Sequence, residues 1–244
     1  MFCSNCGTKL REVHRFCWKC GYRIIYQSTN EDKLPEPDSE SKIAKMRDPI
    51  IVMNVGWMKK YRGLENDELR DGGAYVVEHG YGGEIFNFLP FQGSMYGYVQ
   101  PPGRKEIPYN KRIIRIERLG VHANSSFVDG VLLAWVAKRP IEGGTYLIGW
   151  YQNATIFRHC QSLPDGSMRE LPEPFGYYAR AKESEAILLK PEERTLRVPR
   201  ASDFENIGMG GIGQANIWFT DSGKPNDRKF RQDLKHFIQI YEAK

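Results

Sequence analysis

The chain has 244 residues, 41% hydrophobic and 12% aromatic, with a formal net charge of +5. That is enough length and apolar content for a small metal-stapled module and one substantial domain. No uninterrupted apolar run of about 18 residues occurs, so neither a membrane-spanning helix nor any membrane association is expected, and no secretory leader is expected either.

Residues 1–26 carry Cys3, Cys6, Cys17 and Cys20 as two CxxC pairs separated by ten residues. Two thiolate pairs at this spacing close a tetrahedron around zinc, each pair on a tight turn. Gly7 and Gly21 follow the second cysteine of each pair, where such a knuckle often needs a positive φ. The alternative, two disulfides, needs an oxidising compartment that nothing in the sequence indicates. Cytoplasmic localisation is the expectation. The fifth cysteine, Cys160, follows His159 at the end of an apolar run and reads as a partly buried thiol rather than a nucleophile.

Charge is unevenly spread. Residues 1–28 hold Lys9, Arg11, Arg15, Lys19 and Arg23 against Glu12, a net +4; residues 29–47 carry −1 and residues 48–244 only +2. The excess on the first segment fits a small electrostatic hand on nucleic acid, with Arg11 and Arg15 as phosphate contacts. It equally fits a module with too little core to be anything but polar outside. Residues 27–48 are rich in charge, Ser and Pro and read as a flexible tether.

A β-rich body is expected over 49–244. Strands are predicted at 50–55 (IIVMNV), 74–78 (AYVVE), 84–88 (EIFNF), 95–100 (MYGYVQ) and, more irregularly, 112–119 (RIIRIERL). The run 130–137 (GVLLAWVA) is continuously apolar, as in a strand covered on both faces, with Trp135 in the core. Strands at 145–151 and 154–158 would be separated by a short turn, followed by strands at 176–181, 186–189 and 195–199 and one in QANIWF. Residues 227–243 place Phe230, Leu234, Phe237, Ile238 and Tyr241 on one helical face, with Asp227 as a cap after Pro225. A weaker helix is predicted over 58–69. The fold class is thus β-dominated α+β: zinc ribbon, flexible linker, then a curved sheet or small β-barrel with a C-terminal helix.

No phosphate-binding loop, dinucleotide fingerprint, serine elbow or HExxH occurs; GMGGIG (208–213) precedes a predicted strand where a phosphate site needs a helix. A metal-dependent nuclease could use Glu78, Glu84 and Asp129, with His79 and Lys138 nearby in the pattern. The stronger pattern is aromatic and amide residues beside glycine turns: Trp57; Tyr81, Asn87 and Phe88; Tyr98 and Gln100; Trp150, Tyr151 and Asn153; Gln214, Asn216 and Trp218. Aromatic faces stack a base and amides read its edge. Trp57, Trp150 and Tyr151 are the expected cage walls, Asn87, Asn153 and Gln214 the edge readers, and Tyr98 and Trp218 further base contacts. Arg158 is the expected phosphate contact of the body.

The first segment resembles the short zinc ribbons (FCxxCGxxL…FCxxCG) that open many bacterial and archaeal proteins. IVMNVGWM, GGAYVVEHGYGGEIFNF, YGYVQPPG, GGTYLIGWYQNATIFR, LLKPEERTLRVP and GQANIWF resemble, over about residues 49–220, a bacterial domain associated with modification-dependent restriction and HNH endonucleases. Its overall pattern is similar to PUA-like readers such as EVE, YTH and ASCH domains. The short local patterns of EVE domains are not evident, and no nuclease domain is attached. The resemblance implies a small barrel that takes a modified base into an aromatic pocket, DNA favoured over RNA, in prokaryotic defence. A separate nuclease or motor subunit would then supply the cutting. An inert interaction scaffold is the third alternative.

Overall fold

The structure is a computed structural model that describes residues 8–9 and 48–243, save 105, 168, 170, 173 and 174. The chain divides into two compact units, Met1–Ala44 and Lys45–Lys244. Everything below concerns the second unit.

Its centre is a mixed, β-dominated sheet. β1 (Ile50–Val55) lies between β3 (Phe127–Lys138), to which it is parallel, and β8 (Ile217–Trp218), to which it is antiparallel. β3 continues antiparallel to β4 (Thr145–Gln161), then β5 (Tyr177–Lys182) and β2 (Ser94–Gly97), giving the order β2-β5-β4-β3-β1-β8. β6 (Ala186–Leu188) and β7 (Arg197–Val198) also pair with β4.

Period-two alternation sends neighbouring side chains to opposite faces. Ile51, Met53, Val55, Leu133, Trp135, Ala137 and Tyr151 pack on one face, with Phe88, Tyr98 and Tyr178. Ile50, Val52, Ala134, Val136, Leu147 and Trp150 pack on the other, beneath Phe230, Leu234 and Ile238 of α2 (Pro225–Glu242). Both faces of β1 and β3 are therefore covered, as the continuous apolar runs required.

Several elements differ from the sequence expectation. Residues 145–161 form one strand, not two. Gln152 and Asn153 oppose the single residue Leu132, and Asn153 adopts φ +46°, so the expected turn is a bulge that lets the strand continue. Residues 74–78 form a short helix, α1 (Ala74–His79), ended by Gly80 at φ +77°, whose N–H bonds to Val76 O. The β-branched pair is overridden by packing: a Cβ on Gly72 would lie 2.5 Å from the Val76 side chain. Residues 83–86 make a buried 3-10 turn instead of a strand, because Gly83 passes against the Tyr98 ring, where a Cβ would approach to 2.8 Å. Residues 116–119 also form a 3-10 turn, after a single bridge from Ile113 to His159. No helix forms over 58–69; the Asp67 carboxylate accepts the N–H groups of Lys59, Lys60 and Tyr61 and holds the segment as a loop. Finally, α2 starts at Pro225, so Asp227 is its third residue. Its buried carboxylate accepts from Ser222 N–H at 2.8 Å and Trp218 Nε1–H at 3.2 Å rather than capping the end.

Candidate functional site

β1 ends in Asn54-Val55-Gly56, alongside the end of its parallel neighbour β3. Carboxyl ends of parallel strands are where open sheets leave crevices, and two hollows meet their lining here. The first is a small recess of about 30 Å³ walled by Asn54, Gly56, Tyr75, Glu84, Tyr98, Gln100, Phe175 and Asn216. The second is a wide cleft of about 790 Å³, bordered by Lys138, Thr145, Arg197, Arg200, Phe204 and Gln214. Asn54, Asp71, Gly73 and Asn216 line both.

Glu84 is the chemical centre of the recess. The buried turn at 83–86 holds it, and its Oε1 accepts the Gly56 N–H at 2.8 Å. Gly56 must be glycine for this approach: a Cβ would lie 2.5 Å from Leu69 Cδ1 and 3.2 Å from Glu84 Oε1. Burial pushes the Glu84 carboxyl up to about 7, only partly opposed by the Gly56 bond. No basic side chain touches it among the described residues.

Three amides surround this carboxyl in an ordered chain. Asn216 Nδ2 donates to Gln100 O at 3.4 Å, which turns its Oδ1 toward Asn54 Nδ2, also at 3.4 Å. Asn54 Oδ1 is thereby left buried without a donor. The rings of Tyr75, Tyr98 and Phe175 pack edge-on against one another, Tyr75 and Tyr98 standing 5.7 and 5.2 Å from Phe175.

The cleft is more open and more basic. Lys138 at the end of β3 pairs with Asp71 at 3.4 Å. Arg200 is tethered to Thr145 Oγ1 and Gly213 O, and Arg197 is exposed on β7. Phe204 is 87% exposed, between Asp203 and Glu205 in a glycine-containing loop. Ile207 and Met209 of that loop are also exposed.

The residues singled out from the sequence are only partly brought together. Tyr98, Gln100, Glu84 and Asn216 line the recess and Gln214 the cleft. The cage does not assemble. Trp150 and Tyr151 are consecutive on β4 and face opposite sides, both fully buried. Trp150 packs edge-on against Tyr241 of α2 at 5.3 Å, while Tyr151 bonds to Asn87 O through its hydroxyl. Trp57 is half-buried with the Arg194 guanidinium 4.6 Å over its ring.

The other expected contacts have structural partners. Asn87 is fully buried and makes two bonds to the Tyr98 backbone, accepting its N–H at 2.8 Å and donating to its O at 3.0 Å. Asn153 occupies the bulge and donates to Glu185 at 3.0 Å. Trp218 is buried against Phe230. Arg158 is bonded to Glu117 and to Ser125 O, both at 2.8 Å. Sequence reasoning misses Asn54, Tyr75, Phe175, Arg197, Arg200 and Phe204. Phe204 carries one available signal, an aromatic side chain flanked by acids with no apolar periodicity around it.

Glu78, Glu84 and Asp129 do not form a metal centre. Glu78 is exposed, Glu84 is buried, and Asp129 accepts from Thr155 at 2.5 Å. Among the described residues no three His, Cys, Asp or Glu side chains could hold an ion together. No described helix is long and apolar enough to cross a membrane.

Cys3, Cys6, Cys17 and Cys20, the linker, and Arg11 and Arg15 lie outside the described residues. Residues 2–24 match the model of a zinc-ribbon domain, a match that spans all four cysteines and supports zinc binding by this segment. Neither any curated protein nor any solved structure shows significant similarity to the chain.

Proposed function

We propose that this protein is a nucleic-acid reader whose PUA-like body accepts a base, one carrying a chemical modification, into the cleft at the carboxyl end of β1. The observation that carries this reading is the convergence of an exposed aromatic ring, several amides and a buried carboxyl on adjoining hollows. A volume of about 790 Å³ falls within the range of small-molecule sites. Phe204 replaces the expected tryptophan cage as the stacking surface. Gln214, Asn216 and Asn54 supply polar contacts to the base edge. Arg197 and Arg200 are placed for the phosphates on either side. In the ribbon, Cys3, Cys6, Cys17 and Cys20 hold one structural zinc, and Arg11 and Arg15 add sequence-independent phosphate attraction. Cutting, in a defence setting, belongs to another subunit.

The test is fluorescence anisotropy with DNA and RNA oligonucleotides carrying methylated, hydroxymethylated and unmodified bases. A modified base should bind more tightly than its parent. Phe204→Ala should weaken that binding by about 1–3 kcal/mol, one stacking contact, without changing the melting temperature, since the ring is exposed. Equal affinity across the whole panel, with the variant behaving as wild type, would refute the reader and favour the scaffold.

A further inference from the structure

The recess is polar, enclosed and about 30 Å³ in volume. That is close to the volume one water molecule occupies in the liquid. A base ring cannot enter it, but a single small polar substituent can, while the ring lies in the wider cleft that shares Asn54 and Asn216.

The donor and acceptor inventory decides which substituent. Oε1 of Glu84 is taken by the Gly56 N–H, whereas Oε2 has no hydrogen-bond partner among the described residues. Oδ1 of Asn54 is buried and unpaired, and its orientation is fixed by the chain of amides from Gln100 O through Asn216. The recess therefore lacks donors for two acceptors. A carbonyl or methyl group would leave both unsatisfied, at the desolvation cost of buried polar groups. A group with two N–H bonds satisfies both.

We propose that the recess receives an exocyclic amino group, Glu84 Oε2 and Asn54 Oδ1 each accepting one of its N–H bonds, so that amino bases of the cytosine or adenine type are selected over their keto counterparts. This deepens the reader function proposed above and rests on it. Tyr75, Tyr98 and Phe175 serve as the rigid wall that shapes the recess rather than as a stacking cage. Carboxylate acceptance from a base amine is a known form of direct readout.

The experiment uses the full chain at pH 8 and oligonucleotides differing at one position: cytosine against uracil, and adenine against hypoxanthine, each also offered as the free nucleoside. Wild type should prefer the amino member of each pair by roughly tenfold or more, the discrimination of one good pair of base contacts. Glu84→Gln is the informative variant. Its Oε1 still accepts the Gly56 N–H, which directs the amide nitrogen to where Oε2 stood and replaces an acceptor by a donor. The preference should vanish or reverse toward the keto base, with folding retained. Asn54→Ala, which removes the second acceptor, should also shrink it. Wild type that binds oligonucleotides but treats amino and keto bases alike overturns the recess proposal and leaves the reader standing. So does a result in which both variants fold and keep the wild-type preference. Amino preference among free nucleosides, without oligonucleotide binding, supports the recess and overturns the reader.

Discussion

Replacing Glu84 by Gln should make the protein more stable, and more so as pH rises. Burial lifts the carboxyl from 4.5 to about 7 in the folded state. Between those values the folded protein binds a proton that the unfolded chain has released. Stability therefore falls as pH increases through this window, the opposite of the usual carboxylate. At 1.36 kcal/mol per unit the full rise corresponds to about 3 kcal/mol, complete only above the folded value. Gln keeps the shape and the Gly56 bond but carries no charge to bury. Denaturant unfolding of wild type and variant at intervals from pH 4 to 9 should give nearly equal stabilities at pH 4. A gap should open steadily above about pH 5 and level off near pH 8, with the variant ahead by about 3 kcal/mol, or roughly 6–12 °C in melting temperature for a unit of this size. Other titrating groups cancel in the difference. A gap that does not change with pH, or a variant less stable at pH 8, would refute the claim that an uncompensated carboxyl is buried there.

Trp150→Ala should cost about 3–5 kcal/mol of stability, because the ring fills the layer between β4 and α2; thermal unfolding measures this, and a loss confined to ligand affinity would restore Trp150 to the binding site. Asn87→Ala should cost about 2–4 kcal/mol by leaving the Tyr98 N–H and C=O unpaired in the core, read from the same melts, with a shift within error counting against it. Cys17→Ser should abolish zinc binding, since four thiolates are needed to close the site and such sites are worth roughly 10–16 kcal/mol apparent. Elemental analysis should find about one zinc per wild-type chain and none in the variant; zinc-free wild-type protein, purified without chelator, would remove the claim.

The parts of the fold legible in the sequence are those where one face or both faces of a strand are apolar over several residues. IIVMNV and GVLLAWVA are such segments, and both lie in the sheet as expected. The helical stripe of Phe230, Leu234 and Ile238 is another. The departures are set by glycine and by single side chains acting at long range. Gly80 and Gly72 turn AYVVE into a helix, and Asp67 unmakes a helix by gathering three backbone N–H groups. The cage fails for a reason visible in principle: Trp150 and Tyr151 are adjacent in a strand, and adjacent strand residues cannot share a face. A turn at Gln152-Asn153 would hide that conflict, since only a bulge keeps the strand and its alternation running through it. Glu84 stands out beside GYGG, but its burial depends on Gly56, 28 residues away, and no local pattern encodes that contact.

How the chain treats its other buried polar groups argues that the recess is unfinished protein surface awaiting a ligand. Arg194 is fully buried without a carboxylate, yet each of its three nitrogens is bonded to a carbonyl, those of Leu189, Met58 and Lys59. Arg112 is handled the same way by Pro101, Arg104 and Ile107. Asn87 and Asp227 likewise have their partners within the fold. Native interiors generally satisfy such groups, and this body does so even where it must bring a loop to a guanidinium. Against that background a carboxyl with one free oxygen, beside an amide oxygen with no donor, is a local departure that costs stability. Such departures concentrate where function opposes stability. An apolar residue at position 84 would spare the desolvation cost but would leave the Gly56 N–H unpaired and the recess without its acceptor. Glu84 thus serves the fold through one oxygen and remains available to a ligand through the other.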